Sequence, residues 1–306
     1  MTTTTDDLIS EVEEHLMGGD RDEINFLYND IADDDATLSL EQPLAGVTQG
    51  SYLSIDLEIL YVTSTDPTSG AVSVKRGFTG SLPAIHTAGT KVYVNPIFSH
   101  WSIWRSLNVE ITSLSAADNG LFAEKSFELT TQPVQVTYDV PSANLDLRQL
   151  LEIRWDDVGA ARQWPLIPLR NVMVIRDVTT DTGTSGLSFR IDYPGTTSSN
   201  WVPGRRLVVR YQGDFATLSS TLTDDAAATT GMNTNQLDIP ALGAAARLMG
   251  VREAKRTFIE RSVDSRRAAE VPAGSSARAA AVLMQLLNGR IKSEADRLRQ
   301  LWPDAF

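Results

Sequence analysis

The chain contains no cysteine, which excludes disulfide staples, thiolate nucleophiles and the cysteine-based zinc sites. Histidine is almost as scarce: His15, His86 and His100 are the full complement. A catalytic triad or a His-rich metal site therefore has few places to start. No apolar run approaches the roughly 18 residues that span a bilayer. The opening MTTTTDDLISEVEE lacks the basic residues and apolar stretch of a secretory signal. The expectation is a soluble protein that stays in the compartment where it is made and has no membrane contact. Motifs with a chemical mechanism are missing too. There is no G-x-S-x-G, no Walker A string and no G-x-G-x-x-G, so neither a nucleophile elbow nor a nucleotide cradle has support.

Basic charge is nearly absent from one end. Between Met1 and Asp35 twelve acidic residues face Arg21 alone, whereas from Ala241 to Phe306 twelve basic residues face seven acidic ones. The acidic end repels polyanions, and the basic end suits an acidic surface. If copies pack head to tail, the two ends are complementary. Acidic residues are interspersed among the C-terminal arginines, which argues against specific DNA binding and for a protein interface through Arg.

What the chain does have is ordinary globular composition, 42% hydrophobic over 306 residues, about twice a typical domain. Its hydrophobic period changes along the sequence and divides it into blocks. Residues 1–35 read as acidic N-terminal helices: Leu8, Val12 and Leu16, then Ile24, Leu27, Tyr28 and Ile31, recur at helical spacing around Gly18 and Gly19. Thr5 is the expected cap. Residues 36–98 alternate apolar and polar in short runs such as SYLSIDLEILYVTS and TKVYVNP, the signature of a small β-barrel-like module.

Residues 99–118 return to helix, with Ser99 as cap and Trp101, Trp104, Leu107, Ile111 and Leu114 as a buried stripe. Strand patterns between Gly and Ser turns make 119–220 a β-sandwich, jelly-roll or immunoglobulin-like. Residues 221–238 have few large apolar side chains and read as a linker. Residues 239–306 form basic C-terminal helices. Their last seam runs through Leu283, Leu287, Ile291, Glu294, Leu298 and Leu301 and stops at Pro303. The fold class expected is α+β.

Several residue groups have the types that chemistry would need. Asp56 with Glu58, and Glu152 with Asp156, share a strand face at period two and could act as paired carboxylates; such same-face acids are usually just the wet side of a sheet, and that is the expectation. DDDATLSLE (Asp33 to Glu41) has alternating oxygens like a calcium loop but lacks its glycine and following helix. Trp155, Trp164 and Trp201 could stack on sugars or anchor loops, and Trp201 sits in a polar turn. For His86, between two Gly turns, the reading is a neutral imidazole bonded to a turn carbonyl. No catalytic residue, no cofactor and no metal site is expected.

The stretch VKRGFTGSLPAIHTAGTKVYVNPIFSHWSIWRSLNVEI (Val74 to Ile111) resembles a β-module of structural proteins in tailed bacteriophages. There an Arg-Gly turn, a second Gly turn, a small residue before a His and a Gly-Thr lead into a strand and a helix. Arg76, Gly77, Gly80, Ala84, His86, Gly89 and Thr90 carry the pattern, while Ser81 stands where it has Thr. The segment from Asp238 to Pro303 is similar to the ends of virion proteins of phages infecting actinobacteria. Together these stretches cover under half the chain.

The resemblance implies a non-enzymatic virion protein of the neck, a head-to-tail connector of the adaptor type, assembled in the host bacterial cytoplasm. Its implied partners are copies of itself in a closed ring, on the order of a dodecamer, then the portal protein, the next neck, stopper or tail protein, and the major capsid protein as a further neighbour. DNA would pass through without specific binding. Arg247, Arg252, Arg256, Arg266, Arg267 and Trp302 are the candidate interface residues. The alternative is a tail-tip or fibre protein with a glycan-binding sandwich.

Overall fold

The structure is a computed structural model that describes residues 2–17, 22–42, 46–132, 135, 137–156, 167, 169–176, 186–191, 204, 206–262 and 275–303. It mixes helices with antiparallel sheets in an α+β arrangement and forms two compact units. One comprises Met1–Ser113 with Thr217–Arg290, the other Leu114–Ala216 with Ile291–Phe306. All of 221–238 lies in the first unit, and 99–118 is divided between the units after Ser113.

The first unit opens with α1 (Thr5–Met17), whose buried Leu8, Ile9, Val12 and Leu16 line one stripe. Its cap is Thr4 rather than Thr5: the Thr4 Oγ1 accepts the Asp7 amide at 3.2 Å, and Asp7 Oδ2 accepts the Thr4 amide at 2.8 Å. The expected second helix is absent. In its place β1 (Glu23–Phe26) pairs antiparallel with β6 (Lys91–Val94). The helical spacing of Ile24 and Leu27 was coincidental; Ile24 is exposed, while Asn25 is buried and exchanges hydrogen bonds with the Gln42 backbone.

The remaining strands are β2 (Thr37–Ser39), β3 (Tyr52–Ile55), β4 (Glu58–Thr65) and β5 (Ala71–Lys75). The sheet order is β1-β6-β3-β4-β5-β2, and a Leu27–Leu40 bridge joins its two outer strands. The curled sheet closes over Leu53, Ile55, Leu60, Val62, Val72 and Val92, all fully buried. Bonds from the Tyr28 amide to the Ser39 carbonyl and from the Glu41 amide to the Phe26 carbonyl flank the Leu27–Leu40 bridge and cover part of the two outer edges.

Helix α2 (His100–Leu114) starts where Ser99 accepts the Ser102 amide at 3.2 Å. Its buried stripe is Ile103, Leu107, Ile111 and Leu114. The two tryptophans expected on that stripe are only half-buried and stack on each other, ring centres 5.0 Å apart, with Trp104 Nε1 donating to the Ser219 carbonyl.

The segment read as a linker is structured. Asp225 caps α3 (Ala226–Thr230), an Asn233–Gln236 capping box follows, and Ala226, Thr230, Met232, Gln236 and Leu237 are buried. Small residues fill this space, so low bulk did not mean exposure. Helix α4 (Asp238–Ser262) then packs against α1, and its Ile239, Ala241, Ala244 and Ala245 are buried.

The second unit contains β7 (Ala123–Thr130), β8 (Thr137–Asp139), β9 (Gln149–Asp156), β10 (Val172–Arg176), β11 (Leu187–Ile191) and β12 (Arg206–Gly213). They form two antiparallel three-stranded sheets, β7-β12-β9 and β10-β11-β8. One core serves both, with Phe127, Tyr138, Ile153, Phe189, Val209 and Tyr211 buried together. Helix α5 (Ser275–Leu301) ends the fold, and the Trp302 amide donates to the Leu298 carbonyl before Pro303. Among its described positions, Leu287, Glu294, Ala295 and Leu298 are buried. Leu301, expected on that seam, is exposed.

Candidate functional site

The residues singled out around His86 meet at the β3–β4 hairpin. Only two residues, Asp56 and Leu57, separate β3 from β4, and Asp56 takes a positive φ of 49°. Such a conformation is uncommon for a residue other than glycine and is tolerated best by Asp and Asn. From that tip Asp56 Oδ2 lies 2.8 Å from His86 Nδ1, while Glu58, two residues on, places Oε2 3.0 Å from His86 Nε2.

Arg76, at the end of β5, approaches Glu58 from another direction. Its Nε donates to Oε1 and its Nη2 to Oε2, both at 2.7 Å. The remaining guanidinium N–H groups reach the carbonyls of Ala32, Asp35 and Ala84. Glu58 also accepts the amides of Gly77 at 3.1 Å and Ala84 at 3.2 Å. Five donors converge on one carboxylate, which saturates its lone pairs, and all five Arg76 donors are used as well.

Gly77 must be glycine here. Its φ is 59°, and a Cβ would sit 3.0 Å from the Ser81 carbonyl and 3.1 Å from the Pro83 ring. Ser81, in place of the pattern's Thr, supplies the hydroxyl: it accepts the Ile59 amide at 2.9 Å and donates to the Phe78 carbonyl at 2.9 Å. Gly80 and Gly89 also have positive φ, and the Gly89 amide donates to the Leu27 carbonyl. Backbone bonds in both directions between Ile31 and His86 fasten the loop to the segment after β1.

Glu58 and His86 are both buried, with exposures of 1% and 3%. Burial alone would raise the Glu58 pKa; the bonds from Arg76, His86, Gly77 and Ala84 overcome it and hold it down to about 2. Burial likewise pushes the His86 pKa down, yet its bonds to Asp56 and Glu58 leave it raised above its ordinary value. With a carboxylate on each ring nitrogen, both nitrogens must donate, so the ring is an imidazolium. The neutral imidazole on a turn carbonyl is thus corrected, because no turn carbonyl faces either nitrogen. Glu58 is not on a wet sheet face either; it is the buried centre of four charged side chains. As a set, Arg76, His86, Asp56 and Glu58 balance two positive against two negative charges, and neither Glu58 nor His86 has an atom left for proton transfer to a substrate.

The other candidates do not join this cluster. Arg247 pairs with Glu110 within the first unit, Nε to Oε1 at 2.7 Å. Arg252 and Arg256 lie in α4 without described side chains, and Arg266 and Arg267 fall outside the described residues. Trp302 is half-buried. Trp155 lies in β9, while Trp164 and Trp201 are outside the described residues. Glu152 approaches Arg210 and Arg154, at 3.9 and 4.0 Å. In the Asp33 to Glu41 segment, Asp35 accepts the Ala32 amide and a strand follows. Among the described residues no group of three His, Asp or Glu could hold a metal ion, and no helix is long and apolar enough to cross a membrane.

The sequence pattern pairs Asp56 with Glu58 on one strand face and places Arg76 and His86 in one turn motif, but nothing in it joins the two pairs. The hairpin that brings Asp56 onto the His86 ring was the missing step; a two-residue turn between IDLE's flanking strands was its only local trace. The chain matches no protein-family model and no curated protein.

Proposed function

We propose that this chain is a structural component of a tailed-phage virion, a head-to-tail connector of the adaptor type that assembles as a ring between the portal and the next neck or tail protein. The curled sheet is read as a small β-barrel-like module and the two-sheet unit as a β-sandwich of jelly-roll or immunoglobulin-like type. One observation carries the proposal: the residues of the phage-like pattern, Arg76, Gly77 and His86, are spent on a saturated ionic latch that holds a loop. That is what a shape-bearing module needs, and what a catalytic site, with an unsatisfied acid or base, does not have. The acidic and basic ends of the chain supply complementary charge for contacts between copies.

The test is co-sedimentation with purified portal rings and measurement of mass in their presence. A connector is expected to form a ring and pellet with the portal. A chain that stays monomeric and never co-sediments overturns the reading.

A further inference from the structure

Two exposed apolar surfaces stand out in the first unit. One is the latched loop, where Leu82 and Ile85 are each 73% exposed although the backbone between them is gripped on both sides. Arg76 Nη2 donates to the Ala84 carbonyl at 2.6 Å, the Ala84 amide donates to Glu58, and His86 is bridged to Ile31. A flexible loop exposing a leucine and an isoleucine loses little by hiding them. This loop is held so that it cannot fold them inward, and the ordering entropy of a contact is already met.

The second surface is the first half of α5. From Ala277 to Leu287 the sequence ARAAAVLMQLL has one charge, and Val282, Leu286 and Met284 are 57%, 53% and 46% exposed. Val282 and Leu286 lie four apart and share a face. A helix this apolar is normally covered, yet Leu287 is the only buried position in that stretch.

Their rims have opposite charge. The turn that follows Ile31, whose backbone is bridged to His86, carries exposed Asp33 and Asp34, and exposed Asp30 accepts the Ala88 amide. The apolar stretch of α5 carries exposed Arg278, for which no ion pair is found among the described residues. Both surfaces are open within one chain, so they do not cover each other there.

We propose that the first half of α5 docks on the Leu82–Ile85 loop of a second copy of this chain, with Arg278 toward Asp33 and Asp34. Because the two surfaces differ, the contact is heterologous and leaves one free surface at each end of a pair, from which further copies add. The inference rests on the reading of the chain as a self-assembling component, and it names the surfaces that reading leaves open.

Sedimentation velocity of the full chain tests it, using the wild type, Ile85→Asp and Leu286→Asp. Both substitutions are at exposed positions, and unchanged circular dichroism and melting temperature check that each variant folds. The wild type is expected to associate with rising concentration, and each variant alone to remain monomeric. An equal mixture of the two is expected to form a heterodimer and nothing larger, since one intact pair of surfaces survives. Asp34→Lys is expected to weaken association, and adding Arg278→Glu to the same chain to restore it. If both variants assemble like the wild type while portal binding persists, the proposed contact is wrong and the connector reading stands. If only Leu286→Asp blocks assembly, α5 pairs with α5 and the proposal fails. A wild type that is monomeric throughout overturns the proposed contact, and the connector reading falls only if the chain also fails to form a ring and to pellet with the portal.

Discussion

Arg76 and Glu58 meet on two parallel bonds, Nε to Oε1 and Nη2 to Oε2, each 2.7 Å long, inside a site where both side chains are under one-tenth exposed. Bidentate geometry fixes the guanidinium plane, and that plane points its other N–H groups at three backbone carbonyls from two loops. The pair therefore organises backbone as well as cancelling charge. Removing either partner leaves a buried charge uncompensated.

Arg76→Ala is expected to destabilise the protein by about 3–5 kcal/mol, the scale for breaking a buried pair. Arg76→Lys should recover only part of this, because an ammonium cannot make the fork. Urea denaturation measures both. A loss under about 1 kcal/mol for the alanine variant, the range of surface pairs, would contradict the burial argument.

Stability should depend on pH at both ends. Glu58 is depressed to about 2 from 4.5, so its contribution is full above 4.5 and is lost as pH falls toward 2. His86 is raised from 6.5, so its contribution is full below 6.5 and is lost as pH rises through the folded value. Thermal melts are expected to peak between roughly 4.5 and 6.5. In His86→Gln the alkaline decline should flatten and the acid limb remain; an unchanged alkaline limb would remove His86 as its source.

Gly243→Ala should destabilise although it places a better helix former in α4. The new Cβ would sit 2.8 Å from Glu110 Oε2 and 2.9 Å from its Cγ, displacing a side chain that holds Arg247. A loss of about 1–3 kcal/mol is expected from the overpacking. In a Glu110→Ala background the same change should turn neutral or favourable by up to about 1 kcal/mol. Chemical denaturation of the four proteins gives the coupling.

The segment at 221–238 should behave as part of the folded unit. Its amides at Gly231 and Gln236 donate to Ala227 and Asn233, and hydrogen exchange is expected to find them protected. Asp225→Ala removes the cap that accepts from Ala227 and Ala228 and should cost about 1 kcal/mol. Exchange at the rate of an unstructured peptide in the wild type would refute the packing described here.

Local pattern was a good guide where an element's periodicity is also its burial pattern. In β5 the alternation of Val72 and Val74 with Ala71, Ser73 and Lys75 is the alternation of core and surface, and Ser99 announced α2 at the right place. It failed where the deciding partner is remote. Ile24 to Ile31 has helical spacing, but β1 belongs to β6, about seventy residues away by the Glu23–Val94 register. The alanines and threonines near 226–232 looked too small for a core, and only the fold around them could show that small was the size required.

The sequence by itself determined the mixture of helix and strand, the exclusion of thiol chemistry, and the acidic and basic ends. Tertiary structure alone decided that Asp56, Glu58, Arg76 and His86 are one object. Charge in a sequence carries no distance, and Coulomb and hydrogen-bond energies depend on little else. Only when the hairpin tip, the end of β5 and the loop before β6 are brought within 3 Å does a scarce histidine become a buried cation shared by two carboxylates.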